Sequence, residues 1–382
     1  MTRGRWAVAA LVGLAAVVGA ALFLPQMLDA PEMLAPGVRC ETRVLAGPVR
    51  LHLLTLDLKT ADARLAVRTA GPSLANLASL AQIAAPRDAT QEVLAAVNAG
   101  QFDRDGTPIG LLVVDKAMLR GGLGRPTLTL NEEGSPFISR FSSSLTYATQ
   151  QFKVGLEVER YNRPGAGTVC LYSDAYPFEI PAPTGSLFLT VRGLLAHGIY
   201  AAKPTYGRIT AVDVISAATT IVTSPGRLTV RLVGLDTDTL SQMHFVNQVV
   251  SINPRIEGPL WSGEITYAVG GSDILLSEGQ VPAELRDEER MGLDNRRDAR
   301  TAVGYSQDHM KIFLAVVEGG HAGSVGMTLS ELARLLLEEK AWDALNLDGG
   351  GSSGLWVAGR GVVSVPDSAR PINNALVLVR KP

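Results

Sequence analysis

An apolar run, Ala344-Leu345-Asn346-Leu347, ends in a carboxylate, Asp348, followed by Gly349, Gly350 and Gly351, then by Ser352, Ser353 and Gly354. Three consecutive glycines pack nothing and cost backbone entropy, so they mark either a tight turn or a place where the backbone meets a ligand closely. A carboxylate at a strand end can move protons, and glycine-rich backbone can cradle a phosphate with its N–H groups. Two further stretches offer complementary chemistry. Arg300-Thr301 opens the apolar run Arg300 to Gly304 with a bidentate donor fork. Asn98 closes the apolar run Glu92 to Val97 and leads into the Asn-, Asp- and Gly-dense stretch 98–110, which contains Asp103. A polar loop at the end of a core strand is well placed to act on a ligand.

Other chemistries fit less well. Gly350-Gly351-Ser352-Ser353-Gly354 has the Gly-x-Ser-x-Gly spacing of a serine hydrolase, but all five histidines (52, 197, 244, 309 and 321) precede Ser352. In α/β-hydrolases the acid and the histidine follow the serine. No lysine follows the glycines, which argues against a Walker loop. Histidines are not at metal-ligand spacing and the two cysteines are far apart, so no metal or other cofactor is expected; a calcium held by the Asp residues stays open.

The elements that position these residues follow from pattern. With 46% hydrophobic residues over 382 positions, the chain is globular, and 35 basic against 37 acidic residues (net −2), with no basic patch, exclude nucleic acid as a partner. Arg3 and Arg5 precede an apolar run from Trp6 to Leu24, an export signal or membrane anchor with its basic end in the cytoplasm. We therefore expect 1–28 to be signal or anchor in contact with a membrane, 29–89 a linker and β-rich segment, and 90–382 a single large catalytic domain. Cys40 and Cys170 permit a disulfide without requiring one. Leu51 to Leu58 and Ala63 to Val67 read as a hairpin around Lys59 to Asp62, and leucines 74, 77 and 80 suggest a helix over Ser73 to Ala84. Arg300 to Gly304 and Lys311 to Val317 read as a second hairpin. Thr328 with Glu331 forms a capping box for a helix to Glu338. The interval from Leu111 to about Leu260 is β-rich. The expected class is α+β, with mostly antiparallel sheets and a few packed helices.

Taken in order, Asn98-Ala99-Gly100 with Pro108-Ile109-Gly110, Asn162 through Leu171-Tyr172, Arg300-Thr301-Ala302-Val303-Gly304, Gly326-Met327-Thr328-Leu329 with Glu331-Leu332-Ala333, and Asn346-Leu347-Asp348-Gly349-Gly350-Gly351-Ser352-Ser353 resemble the phosphodiester glycosidase family. The resemblance runs over roughly residues 90 to 380. It implies hydrolysis of a sugar-1-phosphodiester, in a phosphorylated glycan or sugar phosphate, by a protein exported to the periplasm or cell envelope. Carried onto this chain, it makes Asp348, Arg300, Asn98 and Asp103 the catalytic candidates. Thr301, Gly349, Gly350, Gly351, Ser352, Ser353 and Glu318 become candidates for holding the substrate and its phosphate. A glycan-binding protein that keeps the fold without turnover, and a serine hydrolase using Ser352, are the alternative expectations.

Overall fold

The computed structural model describes residues 26–27, 30–88, 90–149, 155–193, 198–259, 264–292, 296–364, 366 and 369–381. The expected signal or anchor over Trp6 to Leu24 lies outside them. Among the described residues no helix is long and apolar enough to cross a membrane.

Of the described residues 49% are strand and 10% helix, so the chain is mostly β rather than α+β. The physical reason is visible in Ser73 to Ala84. Leu74 N–H donates to Ala175 O, and the Asn76 side chain takes up Ser73 N–H, so tertiary and turn bonds hold this backbone out of a helix. Only Leu80–Ala84 is helical, started by Ser79 in a capping box with Gln82.

Three large, mostly antiparallel sheets carry the fold. An eight-stranded sheet runs in the order Gln26–Met27, Val38–Leu45, Val49–Asp57, Lys311–Val317, Arg300–Tyr305, Asp343–Asn346, Ile274–Leu276, with Glu32–Ala35 paired to Val38–Leu45. A five-stranded sheet runs Gly361–Ser364, Leu355–Val357, Val93–Asn98, Asn374–Arg380, Ala63–Thr69. The 13-stranded third sheet takes most of the middle of the chain, including Leu123–Asn131, Pro136–Thr149, Leu187–Gly193 and Thr205–Val214.

The first two sheets face each other across one core, with Leu54, Val303, Val316 and Leu345 on one side and Leu65, Val97, Leu376 and Leu378 on the other. Strand Val93–Asn98 is buried at every position, the composition expected of a strand covered on both faces. The second face of the eight-stranded sheet is covered by the helix Leu329–Glu338, whose Leu332, Ala333 and Leu336 pack on Leu51, Ala302 and Ala315. Thr328 and Glu331 cap that helix reciprocally, as the spacing predicts.

The hairpin Arg300–Tyr305 with Lys311–Val317 forms in the expected register, Arg300 opposite Val317. The expected hairpin of Leu51 to Leu58 with Ala63 to Val67 does not. Val49–Asp57 pairs with Lys311–Val317, whereas Ala63–Thr69 pairs with Asn374–Arg380 in the other sheet. The turn between them is pinned by Leu58 N–H on Met310 O and by Ala61 packing against Gly37, so it works as a corner between sheets. Cys40 and Cys170 form no disulfide and are both buried, in separate core clusters.

Candidate active site

The chain crosses between the two facing sheets directly after Asp343–Asn346, and Asp348 sits in that crossing. Asp348 N–H donates to Ala99 O, tying it to the end of strand Val93–Asn98 (2.8 Å). Asn98 is 1% exposed and makes three side-chain hydrogen bonds: Nδ2 donates to Asp348 O (2.7 Å), while Oδ1 accepts from Thr301 Oγ1 (2.6 Å) and Gly354 N–H (3.1 Å). A single asparagine thus joins three separate stretches, 98, 301 and 348–354. Gly100 is required here by close approach, since a Cβ would lie 2.8 Å from Gly270 O.

The Asp348 carboxylate is 7% exposed by residue and faces Arg370, Ser352 and Gly349. Arg370 Nη2 donates to Asp348 Oδ2 (3.1 Å), Arg370 Nε donates to Ser352 Oγ (2.9 Å), and Gly349 N–H donates to Asp348 Oδ1 (3.1 Å). Burial pushes the Asp348 carboxyl above the usual carboxylate range, against the opposing pull of Ser352, Arg370 and the Gly349 amide. The Arg370 guanidinium is half exposed and lies over the Phe102 ring at 4.7 Å, so it carries its charge at the edge of the site.

The sequence candidates divide by position. Asp348, Asn98, Thr301, Ser352 and Gly349 are brought together. Arg300 stands beside them in the sheet with its side chain along Gly349, and it also holds backbone: Nε donates to Met327 O (3.0 Å) and Nη2 to Arg296 O (2.9 Å). The glycine-loop amides are largely committed within the protein, Gly350 N–H to Ala299 O, Ser352 N–H to Gly349 O and Ser353 N–H to Gly350 O. Gly350 has φ +56°, a left-handed conformation that suits glycine, and the 3₁₀ turn Gly350–Ser352 follows. Ser353 is 3% exposed, and its Oγ is buried without a hydrogen-bond partner. Asp103 is exposed in the turn 103–106, and its charge faces Arg120 and Arg163 rather than Asp348. Glu318 is 9% exposed and accepts from His52 Nε2 (2.8 Å).

Of the histidines, 52, 244, 309 and 321 are described, and their recorded hydrogen bonds and ion pairs go elsewhere than Ser352: to Thr42 and Glu318, to Leu240 O, to Pro136 O, and to Glu318 and Gly323 N–H. Among the described residues no group of three or more His, Cys, Asp or Glu side chains could hold a metal ion. A cavity of about 620 Å³ lined by Thr69, Ile83, Val114 and Leu119 includes none of the candidate residues.

Sequence reasoning missed Arg370 and the pair Asn373–Asn374. Asn374 Oδ1 accepts from Gly100 N–H (2.7 Å), and Asn373 Nδ2 holds the loop carbonyls of Leu74 and Gly106 (2.6 and 2.9 Å). A lone arginine in a Pro-bearing connection has no spacing signal; Asn-Asn at the head of an apolar strand could have been read as Asn98 was.

The class defined by this fold and site is a mostly antiparallel β protein with a buried, arginine-paired carboxylate at the open end of two facing sheets. Residues 198–379 match the model of the phosphodiester glycosidase family, so the resemblance carried by the motifs holds over that segment. It includes Arg300, Thr301, Glu318, Asp348 to Ser353 and Arg370, and leaves Asn98 and Asp103 outside. The bovine (Bos taurus) N-acetylglucosamine-1-phosphodiester alpha-N-acetylglucosaminidase is 34% identical over 105 residues, 26% of this chain and 19% of that protein. Two solved structures share the fold. A hypothetical protein from Synechocystis has a TM-score of 0.63 at 20% identity, over 90% of this chain and 62% of its own. A candidate exported protein from Burkholderia pseudomallei has a TM-score of 0.62 at 19% identity, over 87% of this chain and 74% of its own.

Proposed function

We propose that this protein is an exported hydrolase that cleaves the glycosyl–phosphate linkage of a sugar-1-phosphodiester in an envelope or exported glycan. One observation carries the reading: a carboxylate raised by burial, Asp348, is held at a strand end by Asn98 and Ala99 and is flanked by a half-exposed arginine, inside the segment that matches the phosphodiester glycosidase model.

The chemistry follows from the arrangement. A phosphodiester is already a good leaving group, so the reaction needs charge placement more than strong acid help. Arg370 is the cation at the edge of the site that can meet a phosphate oxygen, with Phe102 supporting its plane. Asp348 stays partly protonated at higher pH than an ordinary aspartate, so it can give a proton to the departing oxygen or, ionised, stabilise the oxocarbenium-like sugar. Asn98 and Thr301 are buried and bonded to each other, and Asn98 acts by fixing Asp348. The apolar N-terminal run supports export, as does the fold shared with a candidate exported protein.

The test is release of free sugar from a panel of sugar-1-phosphodiesters differing in sugar and aglycone. Wild-type protein is expected to turn over at least one of them, and Asp348→Asn to lose about 10³-fold in kcat. Glycan binding with no turnover of any diester would instead support the non-catalytic glycan-binding alternative.

A further inference from the structure

Beyond Asp348, the same end of the sandwich holds a second carboxylate with a built environment. Glu318 follows strand Lys311–Val317, one position past the pair Arg300–Val317, and so lies level with Ala299. Gly319 and Gly349 both pack against the Ala299 backbone, one from each side, so the two carboxylate-bearing loops flank a single strand end. Two strand spacings, about 10 Å between backbones, separate their chains. Face alternation directs Glu318 inward. Val316 and Val303 belong to the core between the two facing sheets, and Glu318 shares the face of Val316 as Thr301 shares that of Val303.

Glu318 is gripped as a working carboxylate would be. His52 Nε2 meets Oε1 at 2.8 Å, and the other ring nitrogen of His52 is fixed by Thr42 Oγ1 at 3.0 Å. His321 Nε2 lies 3.3 Å and Arg50 Nη1 3.7 Å from Oε2, and Ser324 Oγ donates to the Glu318 carbonyl at 2.6 Å. The charged and titratable groups facing Glu318 are therefore His52 and Arg50 from strand Val49–Asp57 and His321 from its own loop. His52 is 3% exposed, whereas His321 and Arg50 reach solvent.

We propose that Glu318 is the second acid–base carboxylate of the site, and that His52, held by Thr42, is the residue that positions it. This rests on the hydrolase reading above. Two carboxylates in opposite environments are the arrangement that divides acid from base. Burial raises Asp348 past its hydrogen bonds; burial also pushes Glu318 up, but the bond and charge of His52, with Arg50 and His321, outweigh it and bring Glu318 below its usual value. In the step, a water oxygen bonds to the anomeric carbon as its proton passes to Glu318. The carbon–oxygen bond to phosphate breaks, its electron pair stays on the phosphate oxygen, and that oxygen takes the Asp348 proton. Exchange with solvent then restores both groups. Two carboxylates with a water between them invert the anomeric carbon.

The experiment uses the full chain and the best substrate from the diester panel. Glu318→Gln is expected to lower kcat by 10² to 10³-fold with KM within about threefold. His52→Gln should move the acidic limb of the kcat/KM profile to higher pH, because Glu318 loses the contact that holds its proton affinity down. His321→Gln, at a partly exposed position that leaves the core intact, should move it the same way by less. Proton NMR of the first sugar released should show the inverted anomer. Glu318→Gln retaining kcat within threefold, an acidic limb unmoved in His52→Gln and His321→Gln, or a retained anomer overturns this inference while leaving Asp348 and the hydrolase reading in place. Wild-type protein inactive on every diester removes that reading and this inference with it.

Discussion

Two buried asparagines show how differently this chain uses the same side chain. Asn162, in the 13-stranded sheet, is 0% exposed with φ +49°; its side chain binds Leu119 O, Ser173 Oγ and Ser173 N–H. Asn98, between the facing sheets, is as deeply buried and also makes three side-chain hydrogen bonds. The first joins segments at most 43 residues apart. The second joins segments 203 to 256 residues apart and holds the backbone of a desolvated carboxylate. A buried asparagine thus ties segments together in both places. Function enters only where the group it fixes has an unbalanced environment of its own.

Breaking either asparagine sharpens that contrast. Asn98→Ala and Asn162→Ala each orphan three buried partners, and each should cost about 3 kcal/mol or more in urea unfolding. Only Asn98→Ala should also lower the kcat of the protein that remains folded; an equal loss in Asn162→Ala would erase the distinction. Arg370→Gln is expected to lower turnover about tenfold, roughly 1.4 kcal/mol. The sign of its pH effect is set by the contact: Arg370 favours the ionised Asp348, so its removal raises that carboxyl further, and the limb reporting loss of the Asp348 proton moves to higher pH. Ser352→Ala should lower turnover severalfold, and a fluorophosphonate probe should leave Ser352 unlabelled; stoichiometric labelling with full inactivation would revive the serine nucleophile. Smallest of all, Thr328→Ala removes the cap of the helix Leu329–Glu338 for about 1 kcal/mol. It should leave kcat unchanged, because the helix covers the face of the sheet opposite Asn98 and Thr301.

How far these residues were readable from sequence depends on the range of the interaction that places them. Thr328 and Glu331 are three apart, and their reciprocal cap forms as read. Arg300 was correctly placed at a strand start, yet its fork turns to Met327 O and Arg296 O, because alternation puts Arg300 and Thr301 on opposite faces. Leu51 to Leu58 and Ala63 to Val67 have the pattern of a hairpin, but pattern does not say that the intervening turn is a corner between sheets. Arg370 carries no local signal at all. Its part in the site is made by Ser352 and Asp348, and the latter is 22 residues away.

The stretch Asn346 to Ser353 was singled out from the sequence by its composition alone, a carboxylate at the end of an apolar run and before three glycines, and residues 198–379 carry the family match that the motifs announced. Composition and short spacings reach that far because they act within a turn or two of backbone. The tertiary structure decided which candidates share a site. It spent most of the glycine amides on the protein itself, tied Arg300 to the carbonyls of Met327 and Arg296, brought Arg370 to Asp348, and aligned Glu318 with His52 and Thr42 across the sheet. Those choices depend on strand order and face, which follow from the burial of a core assembled from both ends of the chain.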